Sequence, residues 1–570
     1  MLEASGTTPV VIAGWERRVR EAASALAWPE APVVAALHPG GASLALSAPP
    51  DQLFTATEVN EWALAAALAE QEPARRDELV ALLAAEQPEE AEPPALEEAG
   101  AIRRLARRAQ REAQPVLRAL ITGASARGLP WLVDDEAFTL GAGRGGRTWP
   151  LAGLPDPARL PWDSLHGIPV ALVTGTNGKT TVVRLIAACA REAGRVTGWC
   201  CTDGVFVDGE ALAAGDYSGP AGARSVLRDA RVECAVLETA RGGILRRGLA
   251  VPRADVAVVT SIAADHFGEY GVHDLAGLAE VKLAVARALP GGGLLVVNAD
   301  DATLSKSAPT AGKPLAWFAR DATRRILAAH RAAGGAACAV ANGRLVLTHA
   351  GSDHDLGGIA AMPLAAGGHS AFNVSNLAAA ALAAAGLGIA PAAIAAVFAR
   401  FGADPADNPG RLMRYEFGGL NLVVDFAHNP AALAGLVDFA LRLRGRGRLA
   451  ILLGQAGNRE DADLHRLAAV AAAARPDLVV VKELAGYLRG RGAGEVPAIL
   501  RRALGRAGVA PGSIADAADE ISAVRLALAW ARPGDALLLA VHTREGRAAA
   551  LELVERMRTQ GWIAGRPLPT

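Results

Sequence analysis

From Ile168 onward the chain alternates short apolar runs with amphipathic stretches. The runs IPVALVTG, VECAVLET, ADVAVVTSI and GGLLVVNAD are rich in β-branched residues and end in turn residues, so each reads as a buried strand. Helical patterns separate them, which predicts a mostly parallel sheet wrapped by helices. The turn-rich segment FGADPADNPGR interrupts this alternation, and LNLVVDFAHNP, GRLAILLGQAG, DLVVVKEL and DALLLAVH then form a second set. The fold class is therefore α/β: a central domain of the P-loop type over residues 166–408 and a Rossmann-like C-terminal domain over 409–570.

Residues 1–165 have a different texture and predict a smaller α+β domain. PVVAALHPGGASLALSA reads as strand, turn, strand. TATEVNEWALAAALAEQ reads as a helix opened by a capping box from Thr55 to Glu58. EQPEEAEPPALEEAG is acidic and proline-rich, and reads as a linker or exposed loop. IRRLARRAQREAQPVLRALITGASARG predicts one basic amphipathic helix carrying Arg103, Arg104, Arg107, Arg108 and Arg111, either a solvated face or a contact for an anionic polymer.

Composition narrows the picture. The chain has 570 residues, 51% hydrophobic and 21% charged, which suits large buried cores rather than disorder. A formal net charge of −1 gives no general attraction to nucleic acid or anionic membrane. The five cysteines form no CxxC pair, and Cys189 and Cys234 lie in apolar runs as small core residues. No signal-peptide pattern and no long uninterrupted apolar run is present, so a soluble cytoplasmic protein is expected; self-association into a homo-oligomer is left open. The alanine run Ala378 to Ala385 reads as a packing segment of a helix.

The chemistry starts at ALVTGTNGKTTVVRLIAA. A strand runs into Gly175, Thr176, Asn177, Gly178, Lys179, Thr180 and Thr181, and a helix follows. Glycines let backbone N–H groups turn toward phosphate oxygens, the helix N-terminus adds its positive dipole end, Lys179 adds a full charge, and a threonine hydroxyl suits Mg²⁺. The loop is two residues shorter than GxxxxGK[ST]. Further along, Glu238 ends an apolar strand, Asp265 and His266 end another, and Lys282 lies in a helix.

This ordered set, continued by Asn298-Ala299-Asp300-Asp301, resembles the central domain of the Mur ligase superfamily. GGHSAFNVSNLAAAALAA is similar to the family's HNxxN-type segment, with Asn373 and Asn376 matching and Phe372 in place of the histidine. NPGRLMRYEFGGLNLVVDFAHNP resembles the start of its C-terminal domain, with Arg411, Asp425, His428 and Asn429 in place. CTDGVFVDGE, LETARGGILRRGL and ELAGYLRGRGAGEV look more like the C-terminal, Mur-ligase-like half of cyanophycin synthetase than like peptidoglycan ligases. LPWLVDDEAFTLGAGRGGR resembles the point where that enzyme's N-terminal domain enters an ATP-grasp domain; here Arg147 to Ile168 leaves no room for one, so at most one of its two ligase activities is expected.

The resemblance implies an ATP-dependent amide ligase that activates a carboxylate as an acyl phosphate for attack by an amino-acid amine. Its cofactors would be ATP and Mg²⁺, its substrates a small amino acid and a peptide-like or acidic acceptor. By resemblance, Lys179 and the loop hold the β- and γ-phosphates, and Thr180, Glu238 and His266 hold metal. Lys282 matches a lysine that some members carry as a carbamate. Asn373 contacts adenine, and Arg411 and Asp425 reach phosphates and ribose. Arg241, His428, Asn429, Arg459, Arg489 and Arg491 are the expected substrate residues. The alternative is a non-catalytic, ATP-binding partner or scaffold of a cyanophycin-synthetase-like enzyme.

Overall fold

The structure, a computed structural model, describes residues 9–28, 32–38, 41–85, 95–265 and 267–569. Two compact units emerge: one takes in the described residues up to Gly167 together with Phe267–Asp274, the other Ile168–Asp265 and the described residues from Leu275.

In the first unit, β1 (Val33–His38) and β2 (Gly41–Leu46) form an antiparallel hairpin, while β3 (Trp131–Val133), β4 (Ala137–Leu140) and β5 (Arg147–Pro150) form an antiparallel sheet. Trp15 and Trp62, both fully buried, anchor a core between the helices Pro9–Ala25 and Leu53–Gln71. The expected capping box does not form, because Thr55 and Glu58 lie inside the helix that Gln52 precedes. The cap comes from a neighbouring helix: Glu112 accepts from Phe54 N and Thr55 N at 2.8 Å each and from Thr55 Oγ1 at 2.6 Å. A carboxylate there satisfies orphan donors and complements the helix dipole. The single basic helix is also two, Glu98–Glu112 and Pro115–Ala126, because Pro115 lacks an N–H and restricts the residue before it. Arg104 is buried against Glu58 at 3.2 Å, and Arg108 pairs with the same carboxylate. These two arginines are therefore part of the unit's own packing, not an array for a polymer. Of the acidic segment, residues 86–94 lie outside the described residues, as do Pro39 and Gly40 of the first turn.

In the second unit the apolar runs become strands as expected: β6 (Val170–Thr174), β7 (Thr197–Cys201), β8 (Gly204–Val207), β9 (Glu210–Ala214), β10 (Cys234–Glu238), β11 (Val256–Val259), β12 (Leu294–Asn298), β13 (Leu315–Ala319), β14 (Ala336–Ala341), β15 (Arg344–His349) and β16 (Ser352–Gly358). Among the described residues they form one 11-stranded sheet, ordered β16-β15-β14-β13-β12-β11-β6-β10-β7-β8-β9. The middle, β14 to β7, is parallel, and antiparallel hairpins flank it. The helix Ala371–Gly386 crosses the parallel part, and Ala378 to Ala385 are all buried; the small side chains let its backbone lie close to the sheet. All five cysteines are buried free thiols, and burial pushes each of them up.

A second sheet holds β17 (Met413–Phe417), β18 (Leu420–Asp425), β19 (Leu449–Leu453), β20 (Leu478–Lys482), β21 (Ile514–Ala517) and β22 (Ala536–Ala540), ordered β17-β18-β22-β19-β20-β21. Only β17 is antiparallel. In the first sheet, the chain reverses its direction of travel across the sheet at β6, between β10 and β11. Open α/β sheets leave a crevice beyond the carboxyl ends of the strands at such a point.

Candidate active site

The crevice is occupied by the loop after β6. Gly175 has φ +142° and an added Cβ would lie 1.9 Å from Thr260 Oγ1; Gly178 has φ +87° and its Cβ would lie 2.3 Å from Asn376 Oδ1. Only glycine fits either place. The loop after β11 braces the turn: Thr176 N donates to Ser261 O at 2.8 Å, Asn177 N to Ser261 Oγ at 3.1 Å, and Thr260 Oγ1 to Asn177 O at 2.5 Å. Two of the loop amides are thus already engaged. The donors that a helix start leaves without intrahelical partners belong to the first turn of Lys179–Glu192. Lys179 Nζ arches back to Thr176 O at 3.0 Å.

Beside the loop, Glu238 ends β10 and is 1% exposed. It accepts from Thr180 Oγ1 at 2.8 Å and Thr202 Oγ1 at 3.0 Å. One carboxylate and two hydroxyls give an oxygen-only donor set, which suits a hard cation such as Mg²⁺. Lys282, near the end of the helix Leu275–Leu283, is buried and donates to Gly175 O at 2.8 Å. Burial, with Lys179 nearby, holds its amine well below the usual lysine value. Asp265 does not sit at a strand end: β11 stops at Val259, and Asp265 lies in the loop beyond. There it pairs with Arg459 at 3.0 Å and with His428 at 3.8 Å. His266 lies outside the described residues.

The second sheet's strand ends form the opposite wall. Asn429 Nδ2 donates to Asn177 Oδ1 at 2.9 Å, and Asn177 Nδ2 returns a bond to Asn429 Oδ1 at 3.3 Å. Asp425 is buried, which raises its carboxyl above the usual range, against the pull of Arg411 and of N–H bonds from Leu412 and Ala427 at 2.7 Å each. Arg411 stacks over Phe426 at 4.4 Å. Between the walls lies a cavity of about 600 Å³, lined by residues 176–181, Glu238, Asn373, Arg411, Asp425, His428, Arg459 and Arg489, among others. Asn373 Nδ2 is committed to Leu364 O at 3.1 Å, and its Oδ1 accepts from Asn376 at 3.0 Å.

Among the described residues, five expected ones do not line this cavity. Gly175 starts the loop that lines it and accepts Lys282 on its carbonyl, Arg241 is buried next to the lining residue Ala240, and Asn429 is bonded to the lining residue Asn177. Arg491 is spent elsewhere: it donates to Gly457 O at 2.9 Å, to Arg459 O at 2.7 Å and to Asp461 at 2.8 Å, so it shapes the loop that carries Arg459 rather than meeting a ligand. Sequence reasoning passed over Thr202, Gln455 and His542, all in the cavity wall. It also missed Asp203, which joins Arg184 at 3.1 Å and Arg547 at 3.0 Å. The strand-end rule that singled out Glu238 would have reached Thr202 and His542, which follow β7 and β22 directly or by one residue.

Comparison with known proteins agrees with this architecture. Residues 173–384 match the Mur ligase middle domain, and residues 410–541 match the Mur ligase glutamate ligase domain. A cyanophycin synthetase from Trichormus variabilis is 35% identical over 337 residues, 59% of this chain and 37% of that protein, so the chain spans little more than a third of its length. A UDP-N-acetylmuramoyl-L-alanyl-D-glutamate–2,6-diaminopimelate ligase from Xanthomonas campestris is 31% identical over 389 residues, 66% of this chain and 74% of that one. Escherichia coli FolC, solved with DHPP and ADP, shares the fold at a TM-score of 0.51 and 21% identity, over 68% of this chain and 89% of that one. Among the described residues no helix is long and apolar enough to cross a membrane. With both family domains matched and 74% of a 31%-identical relative covered, the chain belongs to the Mur ligase family.

Proposed function

We propose that the protein is an ADP-forming amide ligase that uses ATP and Mg²⁺ to join an amino-acid amine to the carboxylate of a peptide-like or acidic acceptor. A carboxylate and an amine do not condense unaided, because the leaving group would be oxide. Transfer of the γ-phosphoryl group to the carboxylate makes an acyl phosphate; the amine then attacks the carbonyl carbon, and inorganic phosphate leaves with the bonding pair. Phosphoryl transfer is governed by positioning and charge neutralisation. The first turn of Lys179–Glu192 and the Lys179 ammonium supply that charge at the β- and γ-phosphates. Thr180 and Glu238, with Thr202 beside them, would hold Mg²⁺, which neutralises phosphate charge when bound. Asp425 and Arg411 face the nucleotide from the second sheet, and Arg459 and Arg489 face the incoming amino acid. The observation that carries this reading is the convergence, on one cavity, of a glycine-turned helix start, a buried strand-end carboxylate and the strand ends of a second sheet.

The test is phosphate release from ATP with Mg²⁺ across amino acids paired with aspartyl peptides and small dicarboxylic acids. Release that depends on one pair, with product mass equal to the sum minus water, is the expected result. ATP binding without pair-dependent release would instead favour the partner reading.

A further expectation concerns Lys282. CO₂ adds to the unprotonated form of a lysine amine, which burial favours here by holding the Lys282 amine well below its usual value: the N–C bond forms, one proton leaves the nitrogen, and the neutral amine becomes an anionic carbamate. Protein equilibrated with ¹³C-bicarbonate is expected to show a carbamate carbon resonance that Lys282→Met lacks. An unchanged spectrum in that variant would remove the assignment.

A further inference from the structure

From His542 in the cavity wall a buried polar cluster runs inward that the proposed chemistry does not use. Lys482, the last residue of β20, is fully buried, and its ammonium pairs with Glu520 at the start of the helix Glu520–Trp530. The same Nζ lies 3.3 Å from Nδ1 of His542, two residues past β22. Glu520 is otherwise filled by the chain beyond β22: it accepts from His542 N at 2.7 Å, Thr543 N at 2.8 Å and Thr543 Oγ1. Space for this cluster is cut into the backbone. A Cβ on Gly454 would lie 2.7 Å from Lys482 Cγ, and one on Gly546 would lie 2.4 Å from Glu520 Oε2.

The partners decide the imidazole's tautomer. An ammonium only donates, so Nδ1 of His542 must be the acceptor. The other ring nitrogen lies 2.8 Å from Ala427 O, which only accepts, so Nε2 must carry the proton. Ala427 belongs to the turn after β18, the turn that places Asp425, Phe426 and His428 in the cavity wall. The turn is also held by the Asp425 carboxylate on Ala427 N and Leu412 N, by Val541 N on Asp425 O, by the Gln455 amide on His428 O and by Asp265 beside His428. Phe426 packs edge-on against the His542 ring at 5.9 Å.

We infer that Lys482, Glu520 and His542 act as a tautomer lock, positioning the Asp425–His428 turn against the bound nucleotide. The inference rests on the ATP-ligase reading for its effect on the nucleotide, but not for the lock itself. His542 is here a positioning residue and need not touch a substrate. Its ionisable neighbours are Lys482 from β20, Glu520 from the helix start and His428 from the turn. Burial, with Lys482 next to it, holds the imidazole well below its ordinary value, so the ring stays neutral across the working range of pH.

Two measurements test this. In protein labelled with ¹⁵N-histidine, the resonances lost in His542→Gln identify the ring. They are expected to report a bare Nδ1 and a protonated Nε2, unchanged from pH 5 to 8. In Lys482→Met, Nδ1 has lost its donor and still lies 3.6 Å from Glu520 Oε1, now relieved of its ammonium partner, so a fraction of rings protonated on Nδ1 is expected beside the Nε2 form held by Ala427 O. A ring that titrates near the ordinary histidine value, or that carries its proton on Nδ1, overturns the lock whether or not the protein binds ATP.

The second measurement is the dissociation constant for a non-hydrolysable ATP analogue with Mg²⁺. His542→Phe keeps the ring's bulk but donates nothing to Ala427, and one lost neutral hydrogen bond predicts roughly three- to tenfold weaker binding. His542→Gln can still donate from its terminal amide and is expected to stay within about twofold of the native protein. Equal binding by the native protein and His542→Phe, or equal loss in both variants, overturns the positioning role. If the native protein binds no analogue, the ATP reading fails, and the resonances alone decide the lock.

Discussion

Lys179→Ala is expected to lower ATP-dependent phosphate release by about a thousandfold, in line with the loss of one well-aimed charge from a phosphoryl-transfer site. Lys179 is the first residue of the helix that follows the glycine loop, and its stem folds back so that Nζ reaches Thr176 O. A charge placed there moves little when phosphate arrives, because the backbone that aims it is already braced by Thr260 and Ser261. Removing it leaves the loop's glycines, its bracing and Glu238 untouched, so the far-ultraviolet circular dichroism spectrum should not change. What the variant loses is one hydrogen bond to a carbonyl, worth about 1 kcal/mol, and the counter-charge for the outer phosphates. Steady-state phosphate release with the productive substrate pair is the measurement. A variant within tenfold of the native rate would mean that Lys179 does not serve the reacting phosphates.

Gly175→Ala is expected to fail at the level of the fold as well as of turnover. The residue sits at φ +142°, and the added Cβ would be 1.9 Å from Thr260 Oγ1. That hydroxyl is itself bonded to Thr174 O and Asn177 O, so it has nowhere to turn. Backbone strain and a forced displacement each cost about 1–3 kcal/mol, giving about 2–6 kcal/mol together. Gly175 O also receives Lys282, so displacement of the loop would reach that side chain. Urea unfolding followed by circular dichroism, with phosphate release in parallel, is expected to show a lower midpoint and little activity. Gly291→Ala is the control: its Cβ would meet nothing within 4 Å and its backbone is not left-handed, so it should stay within about 0.5 kcal/mol of the native protein. A native midpoint in Gly175→Ala would show that the loop relaxes more freely than its contacts imply.

What could be read from the chain in advance follows a physical divide. Strand runs such as VALVT and AILL are buried on both faces, so their apolar continuity announces them without knowledge of their neighbours. The glycine loop and Glu238 were legible for a similar reason: each is defined by its place at the end of one strand. The errors involve partners distant in sequence. Thr55 and Glu58 have the spacing of a cap, yet Glu112, far along the chain, provides the cap instead. Arg491 looks like a free cation on a loop until Gly457 O, Arg459 O and Asp461 are seen to surround it. Asp265 was placed by its distance from an apolar run, and the strand stopped earlier than the run. Local pattern carries local structure; which charges are already matched is a property of the folded neighbourhood.

The reciprocal bonds between Asn177 and Asn429 join the two sheets at the mouth of the phosphate loop through two neutral amides. On either side, the bonds across the same seam are ionic: Arg459 with Asp265, and Arg547 with Asp203. Dissolved salt weakens attraction between charges and has little hold on a pair of dipoles at contact distance. These ion pairs are themselves shielded, each partner no more than 16% exposed, so dissolved salt reaches them little. The seam is therefore fastened by a neutral pin and by charges kept out of the solvent's reach, and it should hold its shape as ionic strength rises.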